Sequence, residues 1–141
     1  MAGTAAAVAA ALALAVLAYA APALADTDAV RISSAALVDA SRTPIHDHVT
    51  IGQTLQVSVD LENTQNRGQP FVYILQIRDE SGRVSSIGTI AAELAPFKSF
   101  NVAQSWDAEE AGVYTAEIYV WESLADAVAL SEPVLLEFTV S

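Results

Sequence analysis

The feature that most constrains this chain is a strict two-residue alternation from Val113 to Trp121, V-Y-T-A-E-I-Y-V-W. Side chains of an extended strand point alternately to its two faces. Tyr114, Ala116, Ile118 and Val120 therefore share one face, and Val113, Thr115, Glu117, Tyr119 and Trp121 share the other. The first set is apolar apart from one hydroxyl, which predicts that it faces a core. A Tyr114 hydroxyl buried there needs a hydrogen-bond partner. The same period recurs at Leu55, Val57, Val59 and Leu61, at Phe71, Tyr73, Leu75 and Ile77, and at Val134, Leu136, Phe138 and Val140. Phe100, Val102 and Trp106 share a parity and are expected to pack inward. Val30–Leu37 reads as a first, edge strand. Val84–Leu94 is irregular and predicts a short strand with a bend at Gly88. About seven strands with turns between them is the pattern of an all-β, antiparallel sandwich.

Immediately before the central run stands Glu110-Ala111-Gly112-Val113-Tyr114-Thr115-Ala116. This resembles the tyrosine corner of immunoglobulin-like domains, in which a Tyr near the start of one strand hydrogen-bonds to backbone a few residues upstream. Ala116 stands where antibody-type domains carry a Cys, so the usual inter-sheet disulfide is ruled out. A fibronectin-III-like or adhesion-type relative is implied instead. Gly52, then the alternation from Leu55 to Leu61, then Asn63 resembles the second strand of CARDB-like (cell-adhesion-related) domains of archaeal and bacterial secreted surface proteins. Together with the order Trp106, Gly112, Tyr114, Tyr119-Val120-Trp121, the likeness spans roughly residues 30–140. It implies an immunoglobulin-like sandwich pinned by Trp106 and Tyr114, and specifies no ligand.

Residues 2–25 are almost wholly Ala, Leu and Val, carry no charged side chain and end in Pro22-Ala23-Leu24-Ala25. That reads as a hydrophobic signal helix cleaved after an A-x-A site. Its n-region lacks Lys and Arg, and the run is long enough to span a bilayer, so a retained anchor is the alternative. The expected domains are a secretory signal peptide at 1–25 and a sandwich at 26–141. The 17 acidic and 6 basic residues all fall in the second, giving it a net charge of −11. Such a surface repels nucleic acid and suits solubility, cations or basic partners. With no Cys, an exported domain relies on packing alone.

No Gly-rich phosphate loop, nucleophile elbow or Cys nucleophile is present. Asp107, Glu109 and Glu110 read as solvated turn residues beside the tyrosine corner, and Ser81, Ser85 and Ser86 as serines that meet a histidine only by chance. The chain is therefore expected not to be an enzyme and to need no cofactor. His46-Asp47-His48 is a candidate divalent-metal site, because two His two apart on a strand point the same way and His is a frequent metal ligand. A third ligand from elsewhere in the chain is required. Tyr119 and Trp121 are candidate partner-binding residues, since outward Tyr and Trp mark contact surfaces. The alternative is that the connection at 122–131 folds over them.

The function expected is that of a secreted, non-catalytic binding or structural module, in cell-surface adhesion or as an accessory to an envelope complex. Its partner would be a protein or a cell-surface polymer, with self-association open and membrane contact only through a retained N-terminal segment. The alternatives are an extracellular metal-binding protein using His46 and His48, and a pilus or filament subunit that keeps its N-terminal helix.

Overall fold

The computed structural model describes residues 28–141. The candidate signal segment at 1–25, and with it the anchor and filament readings, lies outside them. The described residues form nine strands: β1 (Val30–Val38), β2 (Pro44–Ile45), β3 (His48–Val49), β4 (Thr54–Asn63), β5 (Gln69–Asp79), β6 (Val84–Leu94), β7 (Ser99–Asp107), β8 (Gly112–Trp121) and β9 (Val134–Val140). Seven are long, and two are dipeptides that edge the sheets. A four-stranded sheet runs β2-β1-β4-β7 and a five-stranded sheet β3-β9-β8-β5-β6. All pairings are antiparallel except the short parallel one of β3 with β9. The fold is the all-β, immunoglobulin-like sandwich that the alternation predicts.

The alternation also places the core. Leu55, Val57, Val59 and Leu61 of β4 are fully buried, and they meet Tyr73, Leu75 and Ile77 of β5 and Tyr114, Ala116, Ile118 and Val120 of β8 in one hydrophobic cluster. Trp106 lies edge-on to Tyr114 and Phe138, with ring centroids 5.0 and 5.5 Å away. The Tyr114 hydroxyl donates to the Glu110 carbonyl at 3.0 Å. This is the tyrosine corner in place, and it fixes the turn that feeds β8.

Two expectations are corrected. β6 is one continuous strand of eleven residues, with Gly88 in its middle and no bend there. Its hydrophobic pattern is weak because β6 is an edge strand that takes its order from β5 rather than from two-sided burial. At Gly88 a Cβ would come within 3.1 Å of the Gln104 side chain, so glycine lets β7 approach beneath β6. Phe100 has the inward parity of Val102 and Trp106 but is 46% exposed. It sits on β7, the last strand of its sheet, where no neighbour covers it.

Candidate functional site

The two outer faces of the sandwich differ in character. On the four-stranded sheet the outward side chains of β4 are Gln56, Ser58, Asp60 and Glu62. They bond laterally, with Arg31 donating to Glu62 at 3.1 Å and Asn101 to Asp60 at 2.8 Å. On the five-stranded sheet the outward residues of β5 include Val72 and Ile74, only 3% and 5% exposed. Trp121 and Tyr119 of β8 pair opposite them. Outward aliphatics are buried there because aromatic rings from the next strand lie over them.

The Tyr119 ring is held by a polar cluster lower on the same face. Tyr119 donates to Glu117 Oε2 at 2.7 Å, Gln76 donates to Glu117 Oε1 at 3.0 Å, and Arg78 Nε makes a short ion pair to the same oxygen. Burial alone would push the Glu117 carboxyl up, but the bonds from Gln76, Tyr119 and Arg78 outweigh it and hold the carboxyl below the usual range. The same bond to Glu117, with burial second, pushes the Tyr119 phenol up. Each acceptor oxygen is thus matched by a donor, and the phenol anchors its ring. Trp121 tilts against that ring at a centroid distance of 6.1 Å.

Beside the aromatic pair lies a groove of about 360 Å³ lined by Ile74, Gln76, Ile87, Thr89, Tyr119, Trp121 and Leu124. The connection after β8 turns back at once: Glu122 N–H donates to the Val128 carbonyl, and Trp121 bridges to Ala129. It sends Leu130 into the core and sets Leu124 at the groove rim, 62% exposed. The groove therefore stays open along its β6 side, where Ile87 is 61% exposed. The sequence places Tyr119 and Trp121 on this outward face, as the structure does. It does not show that Glu117, Gln76 and Arg78 come together across 39 to 41 residues of chain, nor that Ile87 and Leu124 contribute.

His46 and His48 flank Asp47 where the chain leaves β2 in one sheet and enters β3 in the other. Both are exposed, and His48 Nε2 lies 3.1 Å from Ser141 Oγ. Among the described residues no group of three or more His, Cys, Asp or Glu side chains is placed to hold a metal ion. Ser85 and Ser86 sit on β6, at the opposite edge of the sheet from β3. At about 4.8 Å per strand that separation is roughly 19 Å, so these serines and histidines do not meet. Asp107, Glu109 and Glu110 line an open cleft of about 510 Å³ with Asp79, Arg83 and Trp106.

No protein-family model matches the chain, and no curated protein matches it in sequence. Solved structures do match. The CARDB domain of a Pyrococcus furiosus protein is similar at a TM-score of 0.57 and 16% identity, over 79% of this chain and 94% of that one. The same domain in complex with di-metal ions gives 0.53 at 16% identity, over 79% and 87%. The C-terminal domain of wzt gives 0.61 at 9% identity, over 80% and 74%. The Pseudomonas fluorescens DNA glycosylase AlkC bound to abasic-site DNA gives 0.57 at 16% identity over 79% of this chain, which spans 30% of that enzyme's length. At such identities the likeness establishes the fold, a CARDB-like immunoglobulin sandwich, and leaves function to the site.

Proposed function

We propose that this chain is a secreted, non-catalytic binding module that engages a protein or cell-surface polymer through the Tyr119/Trp121 face, in adhesion or as an accessory to an envelope complex. The observation that carries the reading is the aromatic pair, with Tyr119 bonded to Glu117 and Trp121 against its ring, standing beside an open apolar groove. Rigid Tyr and Trp side chains give contact area at low entropic cost, and such residues dominate binding energy at interfaces. Coverage of 94% of the CARDB domain's own length supports a module of that size. The test is binding of the labelled protein to envelopes of the organism that makes it. Trp121→Ser is expected to weaken binding at least tenfold without shifting the unfolding midpoint by more than a few degrees. Undiminished binding by a folded Trp121→Ser protein overturns the reading.

A second reading is a metal-binding domain. The di-metal form of the Pyrococcus furiosus CARDB domain favours it, and His46 and His48 are the side chains here that would serve. Zinc or copper titration decides it: stoichiometric uptake that disappears in the His46→Ala/His48→Ala double variant supports it, and uptake unchanged by that variant removes it.

A further inference from the structure

The two sides of the sandwich treat their open hydrogen-bonding edges differently. An unpaired strand edge is a template for another strand, and proteins usually blunt it with short strands, proline, charge or bulges. One side does so throughout. It ends in the dipeptides β2, which contains Pro44, and β3. Behind them β1 carries Arg31 and a bulge between Ser33 and Ala36, and β9 follows Pro133 and carries Glu137. On the other side the four-stranded sheet ends in β7, nine residues long with a single charge at Asp107, and the five-stranded sheet ends in the longer β6, eleven residues with no proline and a single charge at Glu93. Its register is regular from Ser86 to Leu94. Ile87 and Val84 stand exposed on it. On a chain of net charge −11, the uncharged run of β6 from Val84 to Ala92 lets a second equally acidic molecule approach without meeting a carboxylate on that stretch.

We propose that β6 pairs with β6 of a second copy of this chain, antiparallel about a two-fold axis at Thr89, joining two five-stranded sheets into one of ten. The register follows from parity. Paired residues must lie on the same face of the joined sheet, so partner positions sum to an even number. Of these registers, the one centred on Thr89 pairs the regular stretch from Ser86 to Ala92 with itself. It sets Ile87 against Ala91 of the other copy and Thr89 against Thr89. Glu93 falls just beyond that stretch, at the irregular start of the other copy's β6, and not opposite a second carboxylate. Ile87 also lines the groove beside Trp121, so the pairing would run the two grooves together along one face. The inference is independent of the proposed binding role of that face.

The chain contains no Cys, so single cysteines placed in the full chain report proximity without background. Ser33→Cys on the exposed part of β1 is the control. Facing residues of an antiparallel pair hold their Cβ atoms about 5 Å apart. Under diamide oxidation Thr89→Cys is expected to form a linked dimer at least tenfold faster than the control. Ile87→Cys and Ala91→Cys should link to each other when mixed, faster than either links to itself. Adding Trp121→Ser should leave this profile unchanged, and sedimentation should show the unmodified chain dimerising as its concentration rises. A flat cysteine profile, a monomer at all concentrations, or a profile abolished by Trp121→Ser overturns the proposal. The last result would assign self-association to the aromatic face, and the first two would leave β6 to a strand of a different protein.

Discussion

β8 carries aromatic residues on both of its faces, and the two sets have opposite fates. Tyr114, with Trp106 and Phe138, forms a buried trio with centroids 5.0 to 5.7 Å apart. Tyr119 and Trp121, five and seven residues on, stand half-buried on the outside and touch no second sheet. The inner set is held by packing and by one bond to backbone, and the outer set by a carboxylate that gathers three donors. Identical side-chain chemistry therefore stabilises the fold on one face and leaves half-buried rings on the other. What separates them is the parity of position along the strand, and a one-residue slip would exchange them.

The sharpest way to test that contrast is to truncate one aromatic from each set. Trp106→Ala opens a cavity between the sheets and is expected to cost about 3–5 kcal/mol, as large-to-small core changes do. Urea unfolding measures it. Trp121→Ser, the same loss of a Trp on the outer face, is expected to cost within about 1 kcal/mol while weakening the proposed binding at least tenfold. Equal costs for the two would erase the distinction.

Hydroxyl deletions probe it more finely. Tyr114→Phe loses the bond to the Glu110 carbonyl and should cost about 1 kcal/mol. Tyr73→Phe should go the other way. Its hydroxyl is buried without a partner among the described residues, and burial pushes the phenol up to about 12. Removing an unpartnered buried hydroxyl is expected to be neutral or to add about 1 kcal/mol. A Tyr73→Phe protein as destabilised as Tyr114→Phe would mean that the hydroxyl has a partner after all.

The smallest expected effect is on pH dependence. The Glu117 carboxyl is held below its unfolded value, so the stability it contributes is present above pH about 4.3. That contribution is lost as the pH falls through the lowered folded value. Glu117→Gln should flatten the fall in unfolding midpoint as the pH drops below about 4.3 and loosen Tyr119, seen as a changed phenol environment in near-ultraviolet circular dichroism. An unchanged acid limb would show that the cluster positions the ring without contributing to stability.

The alternation at Leu55–Leu61 and Val113–Trp121, with Gly112-x-Tyr114 ahead of it, determined the sandwich, its core and the outward parity of Tyr119 and Trp121. A period of two is a local property, legible wherever a strand is buried on one face. It was not legible at β6 or Phe100, because an edge strand is packed on one side only and its residues answer to a neighbour, not to a core. Nor could the sequence show that Gln76, Arg78 and Glu117 share one site. Strand order and register bring them together, and these are fixed by which distant strands bury the most apolar surface between them. The same non-local choice put β6 at the end of its sheet, set Leu124 beside Trp121, and left His46 and His48 at the opposite edge from the serines of β6.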